Sequence, residues 1–272
     1  MIQSKLFIIL LLLSASAIQG QSLTYPLGGG PVATGHTALV RQDMWAIFNN
    51  QAAAAFLDHP ETGLFTENRF MISNMNRVAV GAAIPLKKVV LMITADHFGG
   101  SGFSEMKFGA GCAMRFGQHF SAGLQLDYLG MSIGEGYGSL SSLSFEGGIY
   151  AVLTDKLSLG IHLFNPIKMK WFSTDEIIPV NIRGGLGYKP EPSLQIFAEI
   201  NKSTMRAAVF CAGAEYCYQQ QFFIRAGITT GPSRYTFGAG LRMNRLKIDV
   251  ASSVHSWLGY SPQISFTYSF QE

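Results

Sequence analysis

The sequence predicts an all-β fold: a transmembrane antiparallel β-barrel of about fourteen strands with a short N-terminal helical plug segment. Three observations predict it. Only 14% of the 272 residues are charged while 48% are hydrophobic, with mean hydropathy +0.21, whereas a soluble domain carries roughly 25% charged residues. After the first twenty residues, no apolar run approaches the ~18 residues of a membrane-spanning helix. From about residue 62 onward apolar and polar residues alternate with period two, interrupted at short intervals by turn-forming clusters. A soluble β-sandwich or lipocalin-like barrel also alternates, but it needs a charged exterior. Here the polar faces are rich in Gly, Ser and Thr, and Phe116, Tyr128, Tyr188 and Tyr218 sit near predicted strand ends as an interfacial girdle requires.

Residues 1–20 combine Lys5, an apolar stretch from Leu6 to Leu13, and the small residues Ala15-Ser16-Ala17. They read as a secretory signal peptide, cleaved after Ala17 or Gly20. The first cysteine, Cys112, lies far beyond the leader, so no lipid-modified N-terminus is expected. Cys211 and Cys217 fall on one extended segment about 20 Å apart, too far to bridge, and the third is Cys112, so disulfides do not hold the fold. The chain is exported.

Residues 21–60 form the predicted hatch or plug. Within them, 35–57 neither alternate nor resemble the leader, and Trp45–Phe48 and Ala52–Phe56 suit a short helix that plugs the barrel or seals its periplasmic mouth. The barrel occupies 61–272. Its strands are expected near 62–73, 76–85, 88–97, 104–116, 119–130, 141–153, 156–164, 178–189, 193–201, 206–218, 221–230, 233–243, 245–253 and 261–270. Ile264, Phe266, Tyr268 and Phe270 against Ser265, Thr267 and Ser269 give the clearest alternation. Tight turns at Pro85–Lys87, Gly117-Gln118, Thr154-Asp155, Pro190–Pro192, Gln219-Gln220 and Asn244 fall at every second junction, and longer stretches at 99–102, 131–140, 165–176 and 254–260 lie between them. Short periplasmic turns and longer outer loops give that phase.

The polar faces carry Arg77, Lys107, Arg115, Arg183, Arg225, Arg234, Arg242 and Lys247 together with Asp96, Glu105, Asp127, Glu146, Glu199, Glu215 and Asp249. Such a mixed set suits charges that pair across a narrow or plugged lumen, or the solvated wall of a water-filled channel. A ring of one sign, as in a selective ion pore, is absent. Phe197, Phe223 and Tyr150 also face inward. The formal net charge of +3 gives no basis for nucleic-acid binding. The six histidines show no ligand spacing and read as loop or wall residues, so no metal or cofactor is expected. Asp96 and His97 are neighbours on a strand and point to opposite faces, and no nucleophile motif accompanies them, so the chain does not read as an enzyme.

In the hatch, Gly35, Asp43, Ala46, Asn50 and Ala52 form a pattern that resembles the N-terminal region of FadL-like outer-membrane barrels, especially the PorV/PorQ branch of Bacteroidetes. Gln51 stands where that pattern has Pro. The closing segment SSVHSWLGYSPQISFTYSF is also similar to that branch. The resemblance implies localisation in the Gram-negative outer membrane, in contact with its lipids, and service to type IX secretion as an accessory or scaffold barrel. The outer loops 131–140 and 165–177 would then meet secretion-system or exported proteins. Its alternative is a FadL-like passive conduit, in which a hydrophobic small molecule passes a hatch that moves around Asn50. A general diffusion porin is the third reading.

Overall fold

The computed structural model describes residues 24–134 and 138–270; the expected signal peptide lies outside them. Fourteen strands are present: β1 Glu61–Asn68, β2 Asn76–Leu86, β3 Val89–Gly99, β4 Phe103–Phe116, β5 Phe120–Ile133, β6 Gly138–Thr154, β7 Leu157–Phe164, β8 Asn181–Glu191, β9 Leu194–Ser203, β10 Val209–Tyr218, β11 Phe222–Thr229, β12 Arg234–Met243, β13 Leu246–His255 and β14 Gly259–Ser269. Every consecutive pair is antiparallel, and β1 pairs with β14 to close the barrel. Closure satisfies the backbone of every strand, which a hydrocarbon surrounding demands. No helix among the described residues is long and apolar enough to cross a membrane. The outward face is apolar, with Ile93, Leu124 and Ile224 63%, 69% and 67% exposed. The molecule is an outer-membrane-type barrel.

The strands lie where the alternation puts them, with instructive differences at their outer ends. β1 stops at Asn68, short of residue 73, because Arg69–Met71 forms a single 3-10 turn with Phe70 and Met71 in the left-handed region. The expected outer loop 131–140 is largely strand: β5 runs to Ile133 and β6 begins at Gly138. Met131 and Leu140 pack against a cluster of Leu129, Phe164, Trp171 and Ile178, and that burial extends the hairpin. Between β13 and β14 only 256–258 remain outside strands. The connection 165–180 is long, but it folds back on the barrel. Phe172 N–H donates to the Ser141 carbonyl, and the Ser142 hydroxyl donates to the Lys170 carbonyl at 2.6 Å.

A barrel wall with this little inward apolar bulk cannot pack a core alone. The plug supplies it. Residues 26–41 and 44–55 are all buried, in α1 Gly29–Ala33, α2 Ala46–Asn49 and α3 Gln51–Ala54. The helix suggested over Trp45–Phe56 is therefore two single turns. They break at Asn50, which is extended and whose side chain accepts from the Ala52 N–H while donating to the Leu39 and Ile149 carbonyls. Side-chain bonds of this kind compete with helix continuation. Trp45 stacks on Phe48 and meets Phe65 edge-on, joining the plug to β1.

Candidate functional site

The wall is shaped to the plug at the level of single atoms. Gly123, Gly160, Gly187, Gly213, Gly227 and Gly238 face inward on six strands. A methyl group on Gly123 would lie 2.6 Å from the Gln51 carbonyl carbon, and one on Gly160 would lie 2.6 Å from the Leu39 carbonyl oxygen. Gly35, at φ +72, is wedged between the backbones of β10 and β11, where a side chain would strike the Ala212 and Ile228 carbonyls. Its N–H donates to Thr236 Oγ1 at 2.8 Å, and its carbonyl accepts from Thr229 Oγ1 at 2.9 Å.

The expected hatch residues do not form one site. Gly35 lies against β10–β12, whereas Asp43 is at the tight-turn end, where its carboxylate accepts from the Trp45 N–H. Ala46, Asn50, Gln51 and Ala52 face β3–β6. There Gln51 donates to Glu146 at 2.8 Å, and Ser121 donates to the Ala52 carbonyl at 2.7 Å. Gln51 thus replaces a rigid turn with a polar bond to the wall.

Charges that the alternation turns inward are mostly paired. Arg77 holds Asp96 through two nitrogens at 2.9 and 2.6 Å. Lys107 meets Glu146 at 3.2 Å beside Gln125, Asp127 and His162. Arg225 binds Asp249 at 2.6 Å and also Glu215, which Arg41 of the plug reaches at 3.0 Å. Arg183 donates to Glu199 at 2.8 Å, and Glu199 in turn accepts the N–H groups of Ala38 and Leu39. Glu105 is buried at the loop end. Arg115 and Arg242 depart from the deep-lumen expectation. Both are exposed at the tight-turn mouth, where strand ends splay into solvent, and Arg115 pairs there with Asp58. Phe197 and Phe223 are buried beneath the guanidinium groups of Arg41 and Arg225, and Tyr150 packs on Phe56.

Two chambers flank the plug on the β8–β12 side. The outer one, about 80 Å³, is bounded by Tyr25, His36, Cys211, Thr229 and Arg234. The inner one, about 350 Å³, opens at the tight-turn mouth and is bounded by Arg41, Tyr150, Glu215, Phe223, Arg242 and Lys247. Both touch β8–β12, and the inner one extends onto β6, β7 and β13. Along β10 the inward residues run from Cys211 in the outer chamber through Gly213 to Glu215 in the inner one. That separation is about 13 Å of strand. Plug residues 34–41, pressed on Phe197, Gly213 and Gly227, fill it.

The sequence reading missed the residue that faces the outer chamber most directly. His36 belongs to the plug, neither to a loop nor to the wall, and is 4% exposed. Its backbone is left-handed, φ 64, a conformation uncommon for a residue with a side chain. Burial pushes its imidazole down to about 4, so it is neutral at pH 7. Both ring nitrogens lack hydrogen-bond partners among the described residues, while the ring meets Tyr25 edge-on at 4.7 Å. A lone Gly-His pair carries no spacing signal from which this could be read.

No protein-family model and no curated protein sequence matches the chain. Solved structures do. A TodX monoaromatic hydrocarbon channel variant superposes with TM-score 0.75 at 12% identity, covering 91% of this chain and all of that one. The fold is FadL-like. A Pseudomonas aeruginosa FadL homologue matches with TM-score 0.68 at 13% identity, covering 90% of this chain and 98% of that one. The Ralstonia pickettii toluene transporter TbuX matches with TM-score 0.70 at 11% identity, covering 91% and 99%. Two of these neighbours are described as a monoaromatic hydrocarbon channel and a toluene transporter.

Proposed function

We propose that the protein is a passive conduit of the Gram-negative outer membrane for a small, largely apolar molecule, and that plug residues 34–41 are the part that moves. One observation carries this reading: two chambers that both touch β8–β12 are divided by a single layer of plug. The hydrocarbon and toluene specificities of the FadL-like neighbours support the substrate class. Displacing 34–41 toward the inner mouth would join the chambers without breaking the barrel, since the strand ladders stay intact. A general porin is disfavoured because the plug, buried over 26–41 and 44–55, crosses the lumen between the two chambers.

Purified protein in asymmetric vesicles with lipopolysaccharide in the outer leaflet tests the proposal, because that leaflet, unlike plain phospholipid, resists hydrophobic solutes. Toluene entry several-fold faster than into protein-free vesicles is the expected result. Equal rates overturn it.

The second reading, a type IX secretion accessory barrel of PorV/PorQ type, draws on the hatch and C-terminal motifs and on an apolar outer tip. Met71 and Trp257, on neighbouring connections, are 70% and 91% exposed. This reading moves the contact surface away from 131–140, where β5 runs to Ile133 and β6 begins at Gly138, to that tip and to Ile167 and Phe172 of the folded-back connection. It requires that deleting the gene change the set of secreted or surface-attached proteins; an unchanged set removes it.

A further inference from the structure

The outer chamber is unlike a hydrocarbon site. Its wall has two chemistries. On one side are Pro26, Val209, Pro232 and the Tyr25 ring. On the other are His36, with two unpartnered ring nitrogens, and Arg234, whose Nε is also buried without a partner among the described residues. Arg234 makes no ion pair among them and lies over the Tyr25 ring at 5.1 Å. Arg206, at the rim, also has no acidic partner there. The chamber's other arginine, Arg183, is taken by Glu199. The site therefore has an excess of positive charge over an apolar floor.

A hydrocarbon would desolvate these nitrogens and leave them unpaired, which a buried site resists. Water would satisfy the nitrogens but leave the apolar floor uncovered. Size limits the occupant as well. The enclosed free space of about 80 Å³ is about half that of the ~150 Å³ cavity that takes benzene, so it encloses a carboxylate head and the near edge of one ring, the rest of the ring lies in the open mouth, and no long alkyl chain fits inside. The left-handed backbone at His36 supports a binding role, because such conformations concentrate at ligand clamps.

We propose that the outer chamber binds a compact organic carboxylate, its anionic head between Arg234 and His36 and its apolar body, about one ring in size, on Tyr25 and Pro232. This goes beyond the conduit reading by adding a ligand of a second class, and it rests on that reading for its purpose but not for its geometry. A charge-assisted pair with an arginine gives the affinity, and the small floor gives the selection against longer chains.

Titration calorimetry on the detergent-purified full chain tests it, with sodium benzoate, toluene and decanoate as probes. Benzoate is expected to bind at least tenfold more tightly than either of the others. Arg234→Gln should weaken benzoate by about tenfold to a hundredfold and leave toluene unchanged. His36→Asn, which tolerates the left-handed backbone, should weaken benzoate several-fold and serves if Arg234→Gln does not assemble. Toluene or decanoate binding as tightly as benzoate, or benzoate binding indifferent to both substitutions, overturns the proposal. Benzoate entry into the asymmetric vesicles separates it from the conduit reading. Binding without entry keeps the site and removes the conduit, whereas toluene entry without benzoate binding keeps the conduit and removes the site.

Discussion

The two halves of the lumen are built from the same inward-facing residue types and come out differently. Against β3–β6, α2 and α3 leave a void of only about 10 Å³ beside Lys107 and Glu146. Gln51, Gln125, Lys107 and Glu146 form one connected polar cluster there. Against β8–β12 residues 34–41 cross as a run of turns bonded to Thr229, Thr236 and Glu199, with chambers of about 80 and 350 Å³ above and below. The difference teaches that pairing of inward charges does not by itself say whether a lumen is full. The side on which α2 and α3 stack is packed, whereas the side crossed by the turns of 34–41 keeps open chambers above and below them. The proposed conduit therefore assigns motion to 34–41 rather than to the turn at Asn50.

Crowding the hollow side should have the largest effect. A Val at Gly227 would collide with the backbone of Thr34 and Gly35. The variant should keep its heat-modifiable barrel mobility in gel electrophoresis, while its plug becomes open to protease and ion current appears in planar bilayers. Loss of the barrel itself would mean that plug and wall fold as one unit, which erases the comparison.

Next in size are the two buried carboxylates that anchor the plug. Removing either Glu199 or Glu146 by substitution to Ala leaves a buried cation unpaired and should cost about 3–5 kcal/mol in denaturant unfolding. Only Glu199→Ala, which also frees the Ala38 and Leu39 amides, should raise toluene flux. Equal flux from both would place the gate elsewhere.

Acid sharpens the comparison through His36. Its folded value of about 4 lies below the unfolded 6.5, so the unfolded chain takes up a proton first as pH falls. The stabilisation is present above pH 6.5 and is lost between about pH 6.5 and 4, by up to about 3 kcal/mol. His36→Asn should lack that part of the pH dependence of unfolding.

The smallest expected effect is at Gln51→Pro. The residue is the first of α3, a position that accepts proline, so the change removes mainly the bond to Glu146 and should cost about 1–3 kcal/mol in thermal or denaturant unfolding, without changing flux.

Much of this architecture was legible in the sequence, because a barrel strand declares itself locally. The alternation through Phe120–Tyr128 and Ile264–Phe270 gives strand and facing without knowledge of the partner strand. Inward charges such as Asp96 and Glu199 followed from the same parity. Outer strand ends were less legible, because what extends β5 and β6 is burial of Met131 and Leu140 under a connection some thirty residues away. The path of the plug was not legible either. Glycines that admit it, such as Gly213 and Gly227, look like any other small lumenal residue until Thr34 and Gly35 are set against them. The role proposed for His36 depends on which nitrogens lack partners, a property of the assembled lumen.

A reversible lock on the plug tests the central claim most directly. A Cβ at Gly187 would stand 3.5 Å from that of Val40, within disulfide range, so Val40→Cys with Gly187→Cys ties the 34–41 strip to β8. In a background with Cys112, Cys211 and Cys217 replaced by Ala, toluene entry into the asymmetric vesicles should fall to the protein-free rate when the pair is oxidised and return on reduction. Equal entry in the oxidised and reduced states would contradict a gate at 34–41.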